Sequence, residues 1–84
     1  PSRMQFDMTV SYCRSEWTPR VLELGAISAE FVRLSENAGM YVISYPDEQT
    51  AKDVFKIIKP EVDAHNAQNK TTIREGVRLF KIDR

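Results

Sequence analysis

The chain has 84 residues, with twelve Lys and Arg side chains against twelve Asp and Glu, one Cys and one His. This length predicts one small domain over residues 1–84, with residues 1–3 as a remnant or disordered end. A single cysteine excludes an internal disulfide and a four-ligand Cys/His zinc site, so a reducing, cytoplasmic location is expected. The longest apolar run, residues 40–43, is far shorter than a membrane span of ~20 residues, and no signal peptide is predicted.

The first part of the chain is predicted to form strands. Apolar side chains alternate with polar ones from Met4 to Tyr12, which is typical of a strand with one buried face. Residues 20–29 fit two structures: a helix with Pro19 in its first turn, or a strand with a bulge at Gly25. The stretch is short and contains glycine and β-branched residues, so a strand is favoured.

A hairpin is predicted over the next part. Residues 30–34 and 40–45 are rich in strand-forming side chains, and they flank a polar connection that contains Asn37 and Gly39. Residues 71–82 predict a second, shorter hairpin around Glu75 and Gly76.

One main helix is predicted from Asp47 to Lys59. The Asp47 carboxylate can accept hydrogen bonds from first-turn amides, and apolar residues follow at helical spacing, at Ala51, Val54, Phe55 and Ile58. Pro60 is predicted to end or kink the helix, because its ring displaces the carbonyl group four residues back. Residues 61–68 would add a short turn before a polar loop.

Together these elements predict an α+β fold. Its sheet would have four to five mainly antiparallel strands, with the main helix packed on one face, since a lone hairpin is unstable in water.

Cys13 and His65 are the residues with catalytic potential. A reactive thiolate needs a positive neighbour, which Arg14 could supply, and a nucleophilic site would also require His65 to lie close to Cys13. The more common alternative is a half-buried cysteine and a histidine that lies exposed after a helix end. No cofactor or metal is expected, because the chain has only three glycines and no phosphate-binding loop.

The sequence around Cys13 resembles a known family. Residues 10–20, with Cys13, Glu16 and Trp17, resemble the strand, Cys-x-x-Cys and helix of thioredoxin-like selenoprotein-W-type proteins. The resemblance implies a redox role for Cys13. Glu16 occupies the position of that family's resolving cysteine.

Charge and aromatic residues suggest binding surfaces. Residues 70–84 carry a net charge of +3, and residues 1–69 carry −3. The candidate residues for binding a partner or a nucleic acid are Tyr41, Tyr45, Arg74, Arg78 and Lys81. The tyrosines could stack on the bases of a single strand, or pack under the helix with their hydroxyl groups at the rim. The basic residues could contact phosphates, or protect an edge strand from aggregation.

Strand 40–45 is apolar on both faces, which is typical of a strand covered on both sides. Residues 40–61 are also similar to the strand, helix and Pro-Asp segment of the small dimerising subunit of the KEOPS tRNA-modification complex. That resemblance implies a non-catalytic unit that works in an assembly. The sequence therefore predicts a non-enzymatic protein–protein interaction module, acting as a homodimer or as a subunit. An RNA- or single-stranded-DNA-binding module and a Cys13-dependent redox protein are the alternatives.

Overall fold

The computed structural model of the chain describes residues 3–68 and 72–84. In chain order it contains helix α1 (Arg3–Tyr12), a π-helical turn (Cys13–Trp17), helix α2 (Thr18–Leu24), strands β1 (Ser28–Ser35) and β2 (Ala38–Ser44), and helix α3 (Glu48–Gln68). The class is α+β, as predicted. Among the described residues the sheet has two antiparallel strands, so the expected four to five strands are wrong.

The predicted strand over residues 4–12 is wrong, because this segment is helical. Of the two structures that fit residues 20–29, the favoured strand is wrong up to Leu24, where the structure has the alternative helix with Pro19 in its first turn, and Ser28 and Ala29 begin β1. Besides the alternation from Met4 to Tyr12, apolar side chains also recur every three or four residues, and this second pattern continues through both helices. The side chains at this spacing are buried or half-buried, at Phe6, Val10, Cys13, Trp17, Val21 and Leu24. This stripe gives one continuous apolar face to a helix, and its burial outweighs the local strand pattern. Arg3 belongs to α1 and pairs with Asp7, so it is not a disordered end.

The π-helical turn between α1 and α2 lies just before a proline. The Thr18 amide and the Thr18 hydroxyl both donate to the carbonyl oxygen of Cys13, the hydroxyl at 2.9 Å. Pro19 has no N–H group, and its ring crowds the carbonyl four residues back. The wider turn accommodates this ring without ending the helix.

Gly25 ends α2. Its φ of 127° lies in the left-handed region, which glycine adopts without the steric cost of a Cβ. The amides of Gly25 and Ala26 donate back to the carbonyls of Leu22 and Val21, at 3.2 and 2.9 Å. Gly25 is therefore a helix C-cap, and the predicted strand bulge at this position is wrong.

The central hairpin is confirmed. β1 and β2 pair in antiparallel register, with Phe31 opposite Tyr41 and Ala29 opposite Ile43. One register irregularity lies between Arg33 and Ser35.

Helix α3 begins as predicted and extends beyond the predicted end. The Asp47 carboxylate accepts from the Thr50 amide at 2.7 Å, which confirms the N-cap and lowers the Asp47 pKa. The helix continues through Pro60 to Gln68, so the predicted end at Lys59 is wrong. Lys59 pairs with Asp63 at 2.7 Å, across Pro60.

The core lies where α2, the hairpin and α3 meet. Val21, Val54 and Ile58 are its buried residues, and the residues packed around them are Trp17, Leu24, Ala26, Ala29, Ile43, Tyr45 and Val62. Val54, Ile58 and Val62 follow one face of α3 on both sides of Pro60. Because both halves of this face contact the core, packing holds the helix together past the proline.

Residues 72–84 form no regular secondary structure. The predicted second hairpin is therefore absent from the described residues, and its first residue, Thr71, lies outside them. The predicted polar loop also lies partly outside them.

Candidate functional site

The hairpin has two faces with different surroundings. Side chains alternate between the faces of a strand, so Ala29, Phe31, Tyr41 and Ile43 share one side, which we call the inner face. Ala29 and Ile43 pack against the core, and the ring of Phe31 meets Phe6 of α1 edge-on, with 5.7 Å between the centroids. The helices therefore cover the inner face.

Both tyrosine candidates lie on this covered side. The Tyr41 ring lies 5.8 Å from that of Phe31, and its hydroxyl group is hydrogen-bonded to the Thr18 hydroxyl at 2.7 Å. Tyr45, just after β2, packs against the core. Burial raises the pKa of both phenols. Half-buried rings with a bonded or packed environment have little face left for stacking on a base.

A cluster of ionic and aromatic contacts fixes the hairpin tip to α1. The Arg33 guanidinium contacts Asp7 at 3.0 Å, lies 4.9 Å from the Phe6 ring centroid, and donates to the Glu36 carbonyl at 2.6 Å. Arg3 contacts the Glu36 carboxylate at 3.4 Å. These contacts hold α1 against the inner face as far as the hairpin tip. The opposite face therefore points away from α1.

The opposite face is apolar and open. Val32 and Met40 are paired across the hairpin on this side, with Val42 beside them and Leu34 at the register irregularity. We call these four residues the outer face. Val32, Leu34 and Met40 are 40–66% exposed, and Val42 is half-buried. Contiguous exposed apolar side chains on a sheet are typical of interaction sites.

The C-terminal segment, residues 72–84, contains the three basic candidates. The Arg78 guanidinium donates to the Ser44 hydroxyl at 2.7 Å, which places it at the base of the hairpin on the outer side. Lys81 lies 3.9 Å from Asp83, and Arg74 is exposed. Arg78 therefore reaches the strand that carries Tyr41, but on the other face, and the five candidates do not form one site.

Cys13 and His65, the two residues with catalytic potential, lie in different helical segments. Cys13 is a buried, free thiol in the π-helical turn, and burial raises its pKa. A raised pKa keeps the thiol protonated at neutral pH, which opposes nucleophilic reactivity. His65 lies in the last turn of α3, inside the helix and not after its end as expected.

Within residues 3–68 and 72–84, no group of three or more His, Cys, Asp or Glu side chains could hold a metal ion. Over the same residues, none of the helices has both the length and the apolar character required to cross a bilayer.

The two tyrosine candidates lie on the covered inner side, whereas the exposed apolar side chains Val32 and Met40 lie on the outer face. The signal for the outer face was the apolar character of strand 40–45 on both sides, since Met40 and Val42 alternate with Tyr41 and Ile43. Choosing the open face requires knowing which side the helices cover, and that depends on contacts between distant parts of the chain. Comparison with known proteins does not supply this information: no family model matches the chain, and no curated protein matches it significantly.

Proposed function

We propose that this protein is a non-enzymatic protein–protein interaction module, which acts as a homodimer or as a subunit of a larger complex. The observation that carries the proposal is the open outer face of the hairpin. Val32, Leu34 and Met40 are exposed there, on a sheet whose other side is covered. A two-stranded sheet gains stability when a partner covers its second face, because exposed apolar surface is removed from water.

The interaction class is supported over a catalytic one by the state of the cysteine. Cys13 is buried within the helical segment, and its raised pKa favours the neutral thiol. A redox or nucleophilic function would need the opposite shift, from a positive neighbour or a helix N-terminus.

Site-specific photo-crosslinking in cells that express the protein tests the proposal. A benzophenone amino acid replaces Met40 on the outer face, and in a control variant it replaces Lys56, which is exposed on α3. We expect a protein adduct from position 40, its loss when Val32→Glu is added, and no equivalent adduct from position 56. Equal adducts from both positions, or none from position 40, would contradict an interaction through this face.

The basic C-terminal segment supports the second candidate, a module that binds RNA or single-stranded DNA. Arg78 and Lys81 flank Phe80, whose ring is largely exposed, so charge and a stacking ring lie side by side. A nuclease-sensitive adduct from a benzophenone at position 80, with no protein adduct from position 40, would favour this alternative.

A further inference from the structure

We infer that the partner at the outer face is a second copy of this chain, whose C-terminal segment covers the face while its own outer face is covered in return. The inference rests on the proposed function, and it specifies the partner at the same surface.

The C-terminal segment is apolar and uncovered. Its side chains at Val77, Leu79, Phe80 and Ile82 are 77–90% exposed. In an extended conformation Val77 and Leu79 would lie on one side of the segment and Phe80 and Ile82 on the other, so apolar side chains occur on both sides. An apolar segment that contacts little in its own chain is suited to cover a sheet in another copy.

The segment already lies beside the hairpin of its own chain, but its contact there is polar. Arg78 reaches Ser44 at 2.7 Å, and the segment and β1 border a shallow groove lined by Ser28, Ala29, Glu30, Arg78, Phe80 and Lys81. The apolar side chains of the segment remain exposed in this arrangement. Intramolecular contact therefore leaves both apolar surfaces uncovered.

Charge complementarity favours a second copy of the same sequence. The chain is divided into a +3 part, residues 70–84, and a −3 part, residues 1–69. Glu30 lies on the outer side of β1, paired with Val42, where it can meet Arg78 or Lys81 of an incoming segment. Glu30 already borders the groove with Arg78 and Lys81 of its own chain, and exchange of the segment between two copies would keep these opposite charges together.

The exposed area is consistent with an interface of normal size. The chain exposes 6931 Å², whereas a compact folded chain of 9.7 kDa exposes about 5,100 Å². The difference of roughly 1,800 Å² per copy exceeds the ~800 Å² that each partner buries in a standard stable interface. The radius of gyration is also large, at 13.4 Å against about 12 Å for a compact chain of this length.

β1 offers a place for the incoming segment. Within the described residues, β1 pairs only with β2, so its other edge has no strand partner. An extended segment can add along that edge, and its outward side chains would then lie beside Val32 and Leu34 on the same face.

The test uses the purified 84-residue chain. Sedimentation equilibrium gives the dimer dissociation constant, and isotope-filtered NMR on mixed labelled and unlabelled chains detects contacts between copies. We expect a dimer at about 100 μM protein, with contacts between copies that join the Leu79 or Ile82 methyl groups to Val32 or Leu34. Leu79→Asp should weaken the dimer at least about tenfold, because it places a charge in the interface. The matched control, Thr72→Asp, adds the same charge at an exposed position of the same segment and should change the constant less than about twofold.

Three results would overturn the inference: a monomer at about 500 μM, methyl contacts confined to one chain, or a dimer joined through another surface, such as the exposed Met4 and Met8 of α1. None of them excludes the proposed function, because a crosslink from position 40 to a different protein would still support it. If position 40 gives no adduct, the proposed function fails and this inference fails with it.

Discussion

At the scale of single residues, glycine conformation gives the sharpest prediction. Gly25→Ala should lower the free energy of unfolding by about 1–2 kcal/mol, because an L-residue is strained at the positive φ that ends α2. The added Cβ would also lie 3.0 Å from the Thr50 Cγ2 atom at the start of α3. Urea unfolding followed by circular dichroism measures the change.

The chain supplies a matched control for this substitution. Gly76 has no positive φ, and a Cβ built on it meets nothing within 4 Å. Gly76→Ala should therefore leave the urea midpoint of the folded body unchanged. If the two variants behaved alike, Gly25 would not be the residue that ends α2.

Single residues also explain why the site was only partly predictable. Tyr41 and Met40 are neighbours in one strand, and both are apolar enough for either face. The contacts that separate them come from distant residues: Thr18 bonds the Tyr41 hydroxyl, and Phe6 packs on Phe31, the cross-strand partner of Tyr41. Alternation in the strand gives two sets of residues, but it does not say which set is covered.

At the scale of elements, local signals predicted the hairpin and the start of α3. The turn residues near Gly39 and the Asp47 cap act within a few residues, so sequence alone identifies them. Helix α1 was missed because two periodicities coincide there, whereas a helix was one of the two alternatives for the stretch that contains most of α2. Alternation over residues 4–12 is visible locally, whereas the helical stripe emerges only when Phe6 and Cys13 are read together with Val21.

Helix α3 gives the prediction at this scale. Pro60 lies inside the helix, where it removes one backbone hydrogen bond. Packing of Ile58 and Val62 on the core, with an ion pair between Arg20 and Glu61, holds the two halves together. Pro60→Ala should restore the hydrogen bond and raise the free energy of unfolding by about 1–3 kcal/mol, measured by urea unfolding.

Lys56→Ala is the control, because it replaces an exposed residue one turn earlier and changes only the intrinsic helix propensity. Its effect on unfolding should be within about 0.5 kcal/mol. A loss of stability in Pro60→Ala would mean that the proline fits a kink or a helix end, and that α3 is not continuous through residue 60.

At the scale of the whole molecule, the chain exposes more surface to solvent than a compact folded chain of the same mass. The buried core comprises few residues, and the C-terminal segment carries exposed apolar side chains. The apolar character of strand 40–45 on both faces predicted a sheet covered on its second side by a partner, and this stays a prediction. The strand pattern of residues 72–84 predicted pairing within a second hairpin, so the sequence alone did not suggest them as the proposed complementary surface.

If two copies complete each other, thermal stability depends on protein concentration. Dimer dissociation accompanies unfolding, so raising the concentration from about 5 to about 500 μM should stabilise the folded dimer by about 2.7 kcal/mol and raise its Tm by several degrees. Calorimetry or circular dichroism at matched heating rates measures the shift. Leu79→Asp should give a Tm that is nearly independent of concentration over this range, whereas Thr72→Asp should retain the dependence. A wild-type Tm that stays constant over the same range would contradict a dimer that dissociates on unfolding.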